Sequence, residues 1–119
     1  QSARISGKEV VIGLTSTLRL YINGHIFSNE CTCFALHENF LMFVNSTSGL
    51  MHELFIYDLN KRLRGRQVCQ VATLIATQLA QLDETGNFNV RAVERGSRLV
   101  ISNGFKTILQ MPRGNLEGI

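Results

Sequence analysis

Short apolar runs that recur at a near-constant spacing constrain the fold of this chain more than any other sequence feature. Three of them are 31–38 (CTCFALHE), 40–46 (FLMFVNS) and 53–59 (ELFIYDL). Turn-forming residues separate them, at Asn39 and in the stretch 46–50 (STSGL). Runs of about six to eight residues at a spacing of about ten are typical of consecutive strands in an up-and-down antiparallel sheet. The chain is therefore predicted to be all-β.

Two Asn-Gly pairs mark predicted β-hairpins. Residues 18–23 (LRLYIN) alternate apolar and polar side chains, and Asn23-Gly24 comes at the end of this run. Both residues tolerate positive φ, as a type I′ turn requires. Asn103-Gly104 separates two later apolar runs in the same way. Together with the other runs, these patterns predict about eight or nine short strands and little or no helix.

Residues 68–82 (VCQVATLIATQLAQL) fit two patterns. Their apolar side chains recur at the spacing of an amphipathic helix. The β-branched residues at alternate positions from Val71 to Leu79 equally suit a strand. Sequence reasoning leaves both open and favours the strand.

Composition places the chain among folded globular proteins. It has 119 residues, of which 45% are hydrophobic and 18% charged, so it forms one domain or less. Its three cysteines are an odd number without disulfide spacing, which favours buried thiols in a reducing compartment. No apolar run reaches the roughly 20 residues of a membrane helix, and the N-terminus lacks a signal-peptide pattern. We therefore expect a cytoplasmic or nuclear location and no membrane partner.

No residue pattern in the chain selects a catalytic, cofactor or metal site. Cys31 and Cys33 lie two apart, so on a regular strand they face the same way, and with His37 they could be considered as metal ligands. Structural zinc sites need four ligands, usually in C-x₂₋₄-C pairs, and Cys-x-Cys on a strand splays the sulfurs. His25 and His52, like His37, lie beside turns without a nucleophile setting, and the glycines are single. The chain is predicted to be no enzyme and to bind no cofactor or metal.

A short basic cluster accounts for much of the net charge of +3. Its members are Lys61, Arg62, Arg64 and Arg66. Such a cluster is usually a solvated loop and attracts phosphate weakly. Five aromatic residues lie within the apolar runs and are predicted to be core: Phe34, Phe40, Phe43, Phe55 and Tyr57. A specific nucleic-acid reader is therefore not expected. A stand-alone β-rich binding module that uses the loop 61–66 is the alternative function.

The last apolar run ends at the only proline, in 108–117 (ILQMPRGNLE). Pro112 lacks a backbone donor and has a fixed φ, so it ends a strand or lies on a sheet edge. Gly114 permits a sharp change of direction directly afterwards, and Arg113 projects a cation between them. The stretch is predicted to close off a sheet.

Residues 93–98 (VERGSR) and 109–117 (LQMPRGNLE) closely resemble the Elongator complex protein 1 family, the largest scaffold subunits of the Elongator complex. Residues 17–43 resemble it more loosely. The resemblance implies an incomplete WD40-like β-propeller of about two antiparallel blades. Residues 1–119 would form the C-terminal part of the second propeller and end near the transition to a helical solenoid.

The same resemblance implies a non-catalytic scaffold function. Elongator installs carboxymethyl-type modifications on the wobble uridine of certain tRNAs, with a radical-SAM acetyltransferase subunit carrying out the chemistry. The implied partners are the other Elongator subunits, including that acetyltransferase, and the remainder of the same large chain; tRNA is contacted only indirectly or weakly. Six residues at the end of the blade are implied to serve its closure first and partner contact second: Arg95, Gly96, Arg98, Pro112, Arg113 and Gly114.

Overall fold

A computed structural model describes residues 1–5, 8–47, 51–59, 73–82 and 85–112. These ranges contain eleven strands: β1 (Ser2–Ile5), β2 (Lys8–Leu14), β3 (Leu20–Ile22), β4 (His25–Ser28), β5 (Cys31–His37), β6 (Phe40–Thr47), β7 (Met51–Asp58), β8 (Thr73–Leu79), β9 (Val90–Arg95), β10 (Arg98–Asn103) and β11 (Lys106–Pro112). No helix occurs in these ranges, so the all-β prediction is confirmed. Accordingly, none of the described segments is a helix that could cross a membrane.

The strands form three antiparallel sheets in chain order. The first sheet is β1-β2-β3-β4, the second is β5-β6-β7-β8, and the third is β9-β10-β11. A four-stranded antiparallel meander is the form of a propeller blade. The predicted fold class of antiparallel blades is confirmed; the described residues form three sheets and eleven strands, where about two blades and eight or nine strands were predicted.

The second sheet lies between the other two and buries both of its faces. One face packs on the first sheet in what we call the first seam, whose buried members are Val10, Ile12, Leu20, Ile22, Cys31, Leu41, Phe43 and Leu59. The other face packs on the third sheet in the second seam, whose buried members are Phe40, Met42, Val44, Leu54, Ile56, Ala80, Val90, Leu99 and Ile101. Because successive strand residues point to opposite faces, β6 supplies both seams in alternation. Two buried faces explain why the strands of this sheet are almost continuously apolar.

Aromatic side chains reinforce the first seam. The ring of Phe27 lies edge-on to Tyr57, with centroids 4.9 Å apart, and to Phe43 at 5.6 Å. Phe43 also stacks on Phe55 at 5.3 Å. Such pairs stabilise a core beyond the area they bury. Of the aromatic residues predicted to be core, Phe40 and Phe43 are buried, and Phe34, Phe55 and Tyr57 pack against the first seam, which confirms the prediction.

Cys31 and Cys33 face opposite sides of the second sheet, so the expectation that they face the same way was wrong. The register shifts between them, with Cys31 opposite Asn45 and Cys33 opposite Val44. A β-bulge of this kind adds one residue to a strand and reverses its alternation locally. Cys31 is consequently buried in the first seam, while Cys33 packs against the second.

The two Asn-Gly hairpins differ in their turns. Asn23 and Gly24 have φ values of 51° and 82° between the paired residues Ile22 and His25, which confirms the first prediction. In the second hairpin the turn residues are Gly104 and Phe105, because Asn103 pairs with Lys106. Glycine at the first central position with positive φ is typical of a type II′ turn. The prediction of the second hairpin was right, but its turn lies one residue further on.

Asn103 is a buried polar connection rather than a turn residue. Its side chain is 1% exposed. Its Oδ1 accepts a hydrogen bond from the Asn89 backbone N–H at 2.7 Å, and its Nδ2 donates to the Gln81 carbonyl. The segment after β8 is thereby attached to β10.

Whether residues 68–82 form a helix or a strand is answered in part. Thr73–Leu79 forms β8 and pairs antiparallel with β7, which confirms the favoured strand. Residues 68–72 lie outside the described residues.

Candidate functional site

Four of the six residues predicted to close the blade lie together at one end of the third sheet. Arg95 and Arg98 are paired directly across the two-residue turn of Gly96 and Ser97, and Arg98 is also paired with Pro112. Gly96 has a φ of 62°, a conformation that side chains with a Cβ rarely adopt. Pro112 is the last residue of β11, which is an edge strand, as its missing donor requires.

Several predicted residues cannot be placed. Arg113 and Gly114, the other two members of the blade-end group, lie outside the described residues. The same holds for the whole basic cluster of Lys61, Arg62, Arg64 and Arg66. The candidate site is therefore built on the third sheet.

The third sheet has one apolar face and one basic face. Its apolar face packs into the second seam through residues such as Leu99, Ile101 and Met111. The strand registers place the alternate residues on the opposite side, which we call the basic face. The members of the basic face are Arg91, Val93, Arg95, Arg98, Val100, Ser102, Thr107, Gln110 and Pro112. Its three arginines are exposed and are the only charged residues that the described registers place on it.

A hydrogen bond between side chains connects the second and third sheets at the same end. His37 Nε2 lies 3.2 Å from a carboxylate oxygen of Glu94, with side-chain exposures of 20% and 36%. His37 ends β5 and Glu94 lies near the end of β9, on the face that meets the second sheet. An exposed pair of this kind contributes about 0–1 kcal/mol and mainly fixes the alignment of the two strand ends.

Glu38 adds a second carboxylate beside His37 and Glu94. The possible ligand atoms of His37, Glu38 and Glu94 lie within 4.8 Å of one another. A zinc ion would need a fourth donor, and both described cysteine thiols are instead packed into the seams. Cys31 and Cys33, which the sequence grouped with His37 as possible metal ligands, therefore do not supply this fourth donor.

Burial makes the two described thiols weak acids. Burial, and to a smaller extent the neighbouring Cys33, raises the pKa of the Cys31 thiol to about 12. Burial likewise raises the pKa of Cys33 and of Tyr57. Since the thiolate is the nucleophile and metal ligand, these cysteines are suited to packing rather than to reaction.

Phe105 is a surface feature that sequence reasoning missed. Its side chain is 98% exposed at the tip of the β10–β11 turn. It borders an open cavity of about 220 Å³ whose lining also includes Arg91 and Lys106. The available signal was an aromatic residue directly after Asn-Gly, where turn residues are normally small or polar.

Comparison with known proteins gives a family for the chain. The family model of the ELP1 N-terminal second β-propeller matches residues 1–100. Elongator complex protein 1 of Mus musculus is 34% identical over 124 residues, which cover 97% of this chain and 8% of that protein. The Oryctolagus cuniculus protein of the same name is 36% identical over 117 residues, which cover 97% of this chain and 8% of that protein. Elongator complex protein 1 of Schizosaccharomyces pombe is 34% identical over 114 residues, which cover 92% of this chain and 8% of that protein.

No solved structure matches the chain. The chain spans only about a twelfth of the length of these relatives. The matches nevertheless extend over nearly all of it, and its stacked antiparallel sheets have the form of propeller blades. The chain therefore belongs to the Elongator complex protein 1 family, within its second N-terminal β-propeller.

Proposed function

We propose that the chain is a non-catalytic part of an Elongator scaffold subunit. In this role its sheets help to hold the other Elongator subunits, including the radical-SAM acetyltransferase, while that enzyme modifies the wobble uridine of tRNA. The family match over residues 1–100 carries the proposal. The subunit acts in the cytoplasm and also in the nucleus, and this chain contacts tRNA only indirectly or weakly.

The arrangement of the described residues supports a structural role. Cys31 is buried in the first seam, and Cys33 is partly buried against the second. His37 is paired with Glu94, and the ring of His52 lies edge-on to Phe88 with centroids 4.6 Å apart. The exposed side chains at the blade end include the cations Arg95 and Arg98, which flank a short turn and suit contact with another surface.

Affinity purification of the endogenous polypeptide that carries 93–98 (VERGSR) tests this proposal. We expect a much longer chain that co-purifies with a radical-SAM acetyltransferase. Depletion of the polypeptide should lower carboxymethyl-type wobble uridine, measured by mass spectrometry of tRNA nucleosides, and re-expression should restore it. A fluorescent fusion reports its location.

Recovery of a lone 13.3 kDa protein would contradict the proposal. That outcome would favour the stand-alone binding module, whose ligand binding should fall steeply with salt. Unchanged wobble uridine after complete depletion would exclude the role in tRNA modification.

A further inference from the structure

Ser97 lies at the tip of the β9–β10 hairpin, at one end of the third sheet. It follows Gly96 in the two-residue turn and is exposed. Its hydroxyl makes no hydrogen bond within the described part of the chain. The hydroxyl is therefore open to a reagent that approaches from solution.

Two arginines flank this serine and face each other across the hairpin. Arg95 and Arg98 are directly paired in the strand register, and both are exposed. Neither forms an ion pair with another described residue. Like charges at directly paired positions destabilise a hairpin. An anion between the two guanidinium groups would remove this repulsion.

The charge around the hydroxyl is positive on both sides. Among the described serines and threonines, Ser97 alone has an arginine within two positions on each side. The neighbouring Glu94 lies on the opposite face of the sheet, where its carboxylate meets His37. Protein kinases select their substrates partly by the pattern of charges around the target hydroxyl. The pattern at Ser97 suits a kinase with an acidic substrate cleft.

The end of the hairpin can open at low cost, as a kinase that binds an extended segment requires. Residues 93–98 are all exposed, so moving them away from the sheet uncovers no buried side chain. The losses are the last backbone pairs of the hairpin and the hydrogen bond between His37 and Glu94. Segments with few buried apolar contacts open locally at low free energy.

We propose that Ser97 is a phosphorylation site and that Arg95 and Arg98 form a clamp for its phosphate. The co-reactants are ATP and a serine/threonine kinase. The Ser97 Oγ forms a bond to the γ-phosphorus of ATP, and the bond from this phosphorus to the β–γ bridging oxygen breaks. ADP leaves with that electron pair, and the hydroxyl proton passes to a base of the kinase. This inference does not depend on the proposed function.

The phosphate stabilises the end of the hairpin. Phosphoserine carries a charge of about −1.5 to −2 at pH 7 and three strong acceptor oxygens. Between two guanidinium groups it accepts charge-assisted hydrogen bonds, which are frequently bidentate. Its covalent attachment makes the pairing intramolecular, so it needs no anion from solution. Repulsion between Arg95 and Arg98 is thereby replaced by attraction of both to one group.

Mass spectrometry of the full polypeptide, purified in its native complex with phosphatase inhibitors, tests the modification. Cleavage after glutamate gives the peptide 95–117, whose fragment ions separate Ser97 from Ser102 and Thr107. We expect phosphate at Ser97 in the polypeptide from cells and after incubation of the native complex with ATP and cell extract. Ser97→Ala should remove this signal. Ser16, exposed between β2 and β3 without an arginine within two positions, is the matched control and should stay unmodified.

Hydrogen exchange tests the clamp. Phosphoserine encoded genetically at position 97 of the full polypeptide should slow amide exchange at the adjoining ends of β9 and β10 about threefold, as an exposed ion pair does. The double variant Arg95→Gln and Arg98→Gln should lose this slowing. Both arginines are exposed, so these changes leave the core intact. Phosphoserine at position 16 should leave the exchange of β2 and β3 unchanged.

Absence of phosphate at Ser97 from both preparations would overturn the modification site. Phosphate at Ser97 with unchanged exchange, or slowing that persists in the double variant, would overturn the clamp. These outcomes are separate from failure of the proposed function, which the co-purification experiment decides. If the acetyltransferase co-purifies and Ser97 stays unmodified, only the inference about Ser97 is wrong.

Discussion

Cys31 shows how one side chain depends on a local irregularity. Its thiol is fully buried in the first seam and donates a hydrogen bond to the Cys33 carbonyl at 3.3 Å. The sequence correctly predicted a buried cysteine, because free cysteine is among the most buried residue types. The bulge that separates Cys31 from Cys33 has no recognisable signal in the sequence, since it depends on how β5 pairs with β6.

We predict that Cys31 resists alkylation in the folded protein. The rise of its pKa from an ordinary 9.0 to about 12 is three units, which lowers the thiolate fraction about 1,000-fold near pH 8. Because the folded pKa lies above the unfolded value, the associated stabilisation is complete below about pH 9 and is lost as the pH rises toward 12. Iodoacetamide labelling of the full polypeptide, read by mass spectrometry for each cysteine, measures this protection.

The same peptide labelled in denaturant is the control and should react at the rate of an ordinary thiol. Equal labelling rates of Cys31 in the folded and denatured protein would contradict the assigned burial.

Asn103 is a second residue whose local structure the sequence pattern did not determine. An Asn-Gly pair between apolar runs correctly predicted the hairpin, but the pair itself does not say which two residues form the turn. The packing decides this, because Asn103 bonds to both Gln81 and Asn89 and is held in the strand. A tertiary contact has thus moved the turn to Gly104 and Phe105.

At the scale of elements, the β9–β10 hairpin depends on the backbone of one glycine. Gly96 has a φ of 62° and its neighbourhood is open, since nothing lies within 4 Å of an added Cβ. Gly13 in β2 has the same free space without a positive φ. Because an added Cβ would clash at neither position, comparing the same substitution at Gly96 and Gly13 measures backbone strain alone.

We predict that Gly96→Ala lowers the local stability of the hairpin by about 1–2 kcal/mol, the cost of a left-handed conformation for a residue with a Cβ. Gly13→Ala is the matched control and should be neutral or stabilise β2 by about 0.5–1 kcal/mol. Hydrogen exchange of β9–β10 and of β2 in the full polypeptide provides both values. A similar effect at the two positions would show that φ does not control the hairpin.

Most elements could be predicted because their patterns are local. The runs that became β5, β6 and β7 are apolar, have turn residues between them and need no distant contact for recognition. The described residues form eleven strands, more than the eight or nine predicted, because polar residues on the basic face interrupt the apolar pattern around the turn between β9 and β10. At the candidate site, Arg95, Gly96, Arg98 and Pro112 were named through the resemblance to a family and their role stays a prediction, whereas Phe105 was not anticipated.

At the scale of the whole molecule, β6 connects the two seams. Leu41 lies in the first seam and Met42 in the second, and both are 0% exposed. Neighbouring residues of one strand thus stabilise contacts with different sheets.

We predict that Leu41→Ala and Met42→Ala each destabilise the protein by about 2–5 kcal/mol, as core truncations do, but loosen different sheets. Hydrogen exchange in the full polypeptide should rise mainly in β2 and β3 for Leu41→Ala and mainly in β9 and β10 for Met42→Ala. Each variant is the control for the other. The same exchange pattern for both would mean that the seams do not act separately.

The in-order meander of each sheet also has a consequence for how the chain reaches its fold. Strands paired within a sheet are neighbours in sequence, so ladder formation closes mostly short loops and costs little chain entropy. Longer-range contacts lie in the seams and in the pairing of β7 with β8. Low contact order within a sheet favours rapid pairing, so each sheet can form while the ribosome is still making the next one. The slow step of folding is then the docking of one preformed sheet on another.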